Sequence, residues 1–408
     1  MTSREYSIPN MSQCGEFRVR DLIVNDNHFK VVAIMMNRRG WIGLTGTTTL
    51  ASVTGANWLL AEQQPASSTI AKNNADVLQQ AKEVVRNHHE AIENASPMNI
   101  TSALAKWTSP AWKWRGMHPF HEKTGAAEVG DAFWTPFLTA MLPISRRPDI
   151  FFAGRNELDD YQSTWVVSTG HLMGLFKQPW LGIRPTGRIV MLRYAEFNRV
   201  EGDKIVETDF FFDIPHLMMQ AGQNPFPPQT AAHLVQPGPA THDGLMYAKQ
   251  DPSEGEKTLA LINAMISDIE ESELSHHDRL AKYWDEKMIW WGPGGIGAAY
   301  TIDGYIKHHA GPFNRSLSEG YKFNAHVARL AEGHFGGFFG WANLTVQNSG
   351  GFLGMTASAT PADMRVVDIY REENGKLAEN WVFIDLLHYL NMQGLDVLSR
   401  MESLAPGE

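Results

Sequence analysis

One C-terminal signature occurs twice in this chain, and that repetition restricts the fold to two like domains in tandem. The first copy runs from Gly202-Asp203-Lys204 through Glu207 to Asp213-Ile214-Pro215-His216 and closes on Gln220-Ala221-Gly222. The second runs from Gly375-Lys376 through Glu379 to Asp385-Leu386-Leu387-His388 and closes on Gln393-Gly394. Lysine, glutamate, aspartate and histidine all keep one offset, 385 − 213 = 172. A solenoid would repeat every ~20–50 residues, so this spacing indicates a duplicated domain.

The match continues upstream at 292 − 116 = 176, carrying Ala105–Gly116 onto Ala281–Gly292, Pro136-Phe137 onto Pro312-Phe313, Trp165 onto Trp341 and Phe176 onto Phe352. The step from 176 to 172 assigns the first copy four extra residues, Lys177-Gln178-Pro179-Trp180, in a loop. Loops absorb insertions because closure entropy rises slowly with length.

Composition bounds the class. Apolar residues make up 43% of the 408, with 13 Trp and 20 Phe, enough for two cores. A net charge of −10 disfavours a nucleic-acid partner, which calls for clustered Lys and Arg. The single cysteine, Cys14, precedes both copies, so neither has a disulfide framework or a thiolate nucleophile.

Asn37-Arg38-Arg39-Gly40-Trp41 before a mildly apolar stretch has the pattern of a twin-arginine export signal, which would make the mature chain periplasmic or secreted; otherwise it is cytoplasmic. That stretch is too short and polar for a transmembrane span of about 20 apolar residues. The expected organisation is an extension at 1–70, domain one at 71–235, a proline-rich linker at 236–256, domain two at 257–400 and a tail at 401–408. Helical periodicity over Asp76–Asn94, and again from Lys257 to Ile269, precedes an aromatic strand and a short helix in each copy. Four further strands follow in the first copy, Asp149–Ala153, Gln162–Gly170, Gly187–Phe197 and Lys204–Phe212. Helices followed by strands imply an α+β layer arrangement.

Helices, then a sheet ending in Gly-Lys-x-x-Glu and a terminal aspartate, resemble the SnoaL-like polyketide cyclase family of the NTF2-like superfamily. Gly170-His171-Leu172-Met173-Gly174 and the loop Arg184-Pro185-Thr186-Gly187 also look like that family's turns. The resemblance covers residues 76–222 and 257–398 and implies two cone-shaped α+β domains, helices packed on a curved, mainly antiparallel sheet. It further implies acid/base chemistry beside a carbonyl, carried by Asp213 and Asp385 with His171 assisting, and neither metal nor cofactor.

The residues allow more than one role. A carboxylate inside an apolar funnel has its pKa raised by as much as 3–5 units when fully buried, which suits proton transfer. Asp213 and Asp385 would equally serve as N-caps of the closing helix. His171 can relay a proton, whereas its counterpart Gln347 (171 + 176) can only hydrogen-bond, so the copies have diverged. Trp114, His118, Arg184, Trp290, His309 and Gln347 are the candidate substrate contacts; in the pair His308-His309, His309 stands where the first copy has Phe133 (309 − 176). His118 and His121 have metal-like spacing but lack further ligands. No phosphate-cradling loop or nucleophile elbow is present.

Two functions remain open: a cyclase, isomerase or lyase acting on a small carbonyl substrate, or an exported protein that binds a small ligand without turning it over. Assembly into homo-oligomers through the sheet faces is a further expectation.

Overall fold

The computed structural model describes residues 67–232, 237–270, 276–317 and 320–403, with two short strand pairs within 24–43. Residues 1–64 are a unit of their own, and Arg38-Arg39 of the expected twin-arginine pattern lie outside the described residues.

In the first domain, α1 (Ser67–Glu93) and α2 (Ile100–Trp107) lead into β1 (Thr108–Gly116) and β2 (His121–Thr124). Helix α1 buries Ala81, Val84, Val85, His88 and Ile92, the stripe its periodicity dictates. After α3 (Gly125–Val129), a π-helical turn at Gly130–Trp134 and α4 (Thr135–Met141) come β3 (Ile144–Arg155), β4 (Thr164–Leu175), β5 (Ile189–Glu201), β6 (Lys204–Phe212) and α5 (Ile214–Gln220). The sheet order is β2-β1-β6-β5-β4-β3, with only β1/β6 parallel.

The second domain repeats this with α6 (Pro252–Glu270), α7 (His277–Leu280), β7 (Trp284–Trp291), β8 (Ala298–Tyr300), α8 (Thr301–Tyr305), a π-helical turn at Ile306–Ala310 and α9 (Gly311–Leu317). Then follow β9 (Lys322–Phe323), β10 (Ala328–Glu332), β11 (Phe335–Asn348), β12 (Ser358–Glu373), β13 (Lys376–Ile384), α10 (Leu386–Met392) and α11 (Val397–Ser403). Its sheet runs β8-β7-β13-β12-β11-β9, with β10 on β11 and only β7/β13 parallel. The two π-turns fall at equivalent positions (130 + 176 = 306). A π-turn holds one residue more than an α-turn, and such turns often mark functional sites.

The two sheets pack back to back. Phe197 and Phe211 of the first domain meet Phe339 of the second with ring centroids 4.8 and 6.0 Å apart, and Phe211 meets Trp341 at 5.7 Å. These faces, expected to serve oligomer formation, are therefore covered within the chain. Each sheet is consequently buried on both sides, against its own helices and against the other sheet.

The stretch expected to be a spacer is bonded to both domains. Phe151 N–H donates to Gly244 O at 2.7 Å, Met246 N–H donates to Phe151 O at 2.8 Å, and Trp381 Nε1 donates to Pro237 O at 3.1 Å. Lys82 Nζ donates to Met246 O and Glu332 Oε1, both at 2.8 Å, joining α1, the strap and β10.

Candidate active site

The interiors of the two domains differ. In the first, Phe133 on the π-turn packs edge-on or tilted against Trp114, Phe210 and Phe212 with ring centroids 5.1–5.8 Å away. Trp180, from the four-residue insertion, closes over Phe133 and Phe137 at 6.0 and 5.3 Å. The funnel is filled. The second domain has no counterpart to Trp180, and at the offsets 176 and 172 it replaces Phe133 by His309, Trp134 by Ala310, Phe210 by Val382 and Phe212 by Ile384. Those smaller side chains leave a cavity of about 180 Å³, which His309, Ala310, Val382 and Ile384 all line.

Strand β12 turns Val366, Asp368 and Tyr370 to this cavity, as the two-residue period of a strand requires, and β13 turns Asn380, Val382 and Ile384 to it. Asn380 Nδ2 donates to Asp368 Oδ1 at 3.2 Å, and the Tyr370 hydroxyl also bonds this carboxyl. Burial raises the Asp368 pKa to about 6, and the two hydrogen bonds only partly oppose that rise. Tyr305 and Tyr370 are pushed well above the ordinary phenol value, by burial first and by Asp368 second, so both stay protonated. His309 stacks on Trp290 at 3.9 Å and 17°, and His326 stacks on Phe338 with the same geometry. Burial lowers both histidines to about 3, aided at His326 by Arg329, so both rings are neutral at physiological pH. Among the described residues no lysine or arginine lines the cavity.

The first domain has Glu196 where the second has Asp368 (368 − 172), but that carboxylate is engaged. His89 Nε2 lies 2.7 Å and Arg146 Nη1 3.1 Å from Glu196 Oε2. Although burial opposes ionisation, His89 and Arg146 hold Glu196 well below the usual carboxylate range.

The sequence-derived candidates divide between the domains. Trp290 and His309 meet in the cavity with Asp368. Asp213 and Asp385 do not enter it. Asp213 Oδ1 accepts from His216 N and Oδ2 from Gly294 N; Asp385 Oδ1 accepts from His388 N and Oδ2 from His118 N. Both are helix caps that also fasten a loop of the other domain. His171 is buried on β4 with its Nδ1 3.0 Å from Asp149 Oδ2, and it pairs across the sheet with Arg193, whose side chain reaches the second domain. Neither His171 nor Asp213 lines the cavity around Asp368. Trp114 belongs to the aromatic fill. The His118 ring packs 5.4 Å from His121 at the domain seam. Arg184 lies in a separate groove that Arg400 also lines, and Gln347 Nε2 is taken up by Ala359 O at 2.9 Å. Among the described residues no group of three or more His, Cys, Asp or Glu side chains is placed to hold a metal ion.

Asp368, Tyr370, Tyr305, His326 and Asn380 were not foreseen. A signal existed: aligning the repeats puts an acid at 196 and at 368, in the middle of otherwise apolar strands.

No family model and no curated protein matches the chain. Among solved structures, it is similar to a protein of Jannaschia sp. CCS1 provisionally assigned as a SnoaL-like polyketide cyclase, at 16% identity and TM-score 0.29 over 37% of this chain and 94% of that one. It is similar to an NTF2-like protein of Burkholderia thailandensis E264 at 21% identity and TM-score 0.26, over 35% and 96% of the two chains. A third, IdmH of Streptomyces antibioticus, provisionally assigned as a polyketide cyclase, matches at 13% identity and TM-score 0.27 over 33% and 98%. Among the described residues no helix is long and apolar enough to cross a membrane. By its own topology, helices on a mainly antiparallel sheet built twice, the chain is a tandem of two α+β domains.

Proposed function

We propose that the second domain is an acid/base enzyme, a cyclase, isomerase or lyase, acting on a small uncharged carbonyl compound with Asp368 as its proton-transfer group. The observation that carries this is the Asp368 carboxyl itself, facing an apolar cavity with a pKa raised to about 6. A base poised near the working pH contributes roughly 10²–10⁴ in rate. Asn380 and Tyr370 fix its orientation. Asp368 removes the proton next to the substrate carbonyl, and the Tyr305 hydroxyl donates to the oxygen that becomes negative. The proton then returns to a different carbon, or the enolate carbon attacks a second carbonyl within the same molecule. The first domain is a closed scaffold.

The test is deuterium exchange into a panel of small cyclic and aromatic ketones in D₂O, followed by NMR. Wild-type protein exchanges the α-hydrogen, Asp368→Asn slows exchange by on the order of 10²–10⁴, and Tyr305→Phe slows it less. Ligands that bind in the cavity without any exchange beyond the Asp368→Asn level would overturn the enzymatic reading. The second reading, a small-ligand receptor, would then account for the mainly apolar lining.

A further inference from the structure

We propose that the first domain serves the second in trans, with Arg193 as a positioning residue that fixes the strand opposite Asp368. This rests on the proposed role of Asp368. Arg193 projects from β5 on the face turned away from its own core and is 2% exposed. Its Nη1 donates to Val382 O at 2.8 Å and its Nη2 to Trp291 O at 3.1 Å, while the guanidinium lies 3.8 Å above the Phe383 ring. The last registered pair of β7 and β13 is Trp291 with Trp381. Where that pairing stops, buried carbonyls need donors from elsewhere, and Arg193 supplies two from the other domain.

What it holds is the wall behind the carboxyl. Val382 pairs directly with Asp368 between β13 and β12. Asn380, which donates to Asp368, precedes Val382 by two residues on the same strand, and Trp290, which stacks on His309, precedes Trp291. One side chain therefore ties together the two strands that carry these groups. The grip has no mirror image. Arg193 Nη1 also lies 3.8 Å from Asp213 Oδ2, as Arg365 at the equivalent position (193 + 172) lies 3.4 Å from Asp385 Oδ2. But Arg365 turns to His121 rather than to carbonyls, and the first domain's Phe210 O accepts from Met117 N instead. Only the domain with a cavity is held in this way.

The test uses the full chain with Arg193→Lys and Arg193→Met, read by carbon-13 NMR titration of the Asp368 carboxyl and by kcat and KM for proton exchange. Lysine keeps the charge but cannot span both carbonyls as the planar fork does. Both variants are expected to move the Asp368 midpoint above about 6, because the bonds from Asn380 and Tyr370 that lower it are loosened. They are expected to lower kcat by on the order of 10²-fold, the cost of a misplacement of about 1 Å, with KM changing far less. If Arg193→Lys titrates and turns over like wild type and loses only thermal stability, the residue is merely structural and the proposal is overturned. If Arg193→Met does not fold, Arg193→Lys alone decides. Should wild type show no exchange at all, the enzymatic reading fails by itself, while the Asp368 titration still tests the positioning role.

Discussion

The Asp213 carboxylate accepts the Gly294 amide N–H at 2.8 Å across the domain boundary, and its twin Asp385 accepts the His118 N–H at 3.0 Å. Gly294 and His118 are themselves equivalent (294 − 176 = 118), so each domain's closing helix cap fastens the same loop of the other. Removing the oxygens by Asp213→Ala loses a cap, about 1 kcal/mol, and orphans a buried N–H, about 1–3 kcal/mol. Urea unfolding is expected to show a loss of about 2–4 kcal/mol. Gly294→Ala should loosen the same seam, since its Cβ would stand 2.6 Å from His216 N. Asp213→Asn, which keeps one acceptor, is expected to leave proton exchange measurable where Asp368→Asn does not.

Asp368→Asn is expected to cost activity and add stability. The folded-state pKa of about 6 lies above the ordinary 3.8, so the folded protein binds this proton more tightly than the unfolded chain. The contribution is present in full below pH 3.8 and lost as pH rises through 6. At pH 8 the neutral amide escapes that cost, on the order of 3 kcal/mol, and the gain disappears by about pH 4. Thermal unfolding of both proteins at the two pH values checks this. A variant less stable than wild type at pH 8 contradicts it.

Phe133→Ala should open in the first domain the space the second already has. The ring is fully buried among Trp114, Phe137, Phe210 and Phe212, so its removal is expected to cost about 3–5 kcal/mol. Saturating benzene should restore part of the loss, as apolar cavities stay dry and accept apolar guests. Calorimetry with and without benzene measures both effects.

Acid should weaken the seam at Asp385. His118, His121 and His388 cluster there with ring centroids 5.4 and 5.7 Å apart, and Arg365 Nη1 lies 3.3 Å from His121 Nδ1. Burial first, with Arg365 adding to it, lowers all three, His388 to about 4. Lys123, Glu122 and Asp363 bear on these rings more weakly, whereas on His118 the His121 ring, which lowers it, and Asp396, which raises it, both act more strongly than Arg365. Since the folded values lie below 6.5, the unfolded chain takes up protons first and stability falls between pH 6.5 and about 4. Asp385, raised by burial to about 6, acts in the opposite sense between 6 and 3.8, one group against three. At the other seam, glycines 294 and 297 replace His118 and His121. His388→Gln is expected to flatten the fall of Tm across that window; an unchanged slope would refute the assignment.

The duplication, the strands and the closing aspartates were all legible in the residues, yet the direction of the side chains was not. In Phe210-Phe211-Phe212-Asp213, Phe210 and Phe212 face their own helices while Phe211 faces Phe339 and Trp341 of the other domain. Asp213 shares the parity of Phe211. A strand buried on both sides reads as one apolar run, which conceals its inward face. The direction of His171 is hidden for the same reason: its register partner Arg193 points to the other domain.

What the sequence determined alone was a doubled α+β domain with one insertion, because repeated residues at fixed offsets survive any arrangement in space. Which domain stays open was decided by packing. Trp180 and Phe133 fill one interior, while His309, Ala310 and Val382 leave the other hollow around Asp368. Whether a side chain fills a space or borders it depends on what lies across from it, and those neighbours are far away along the chain.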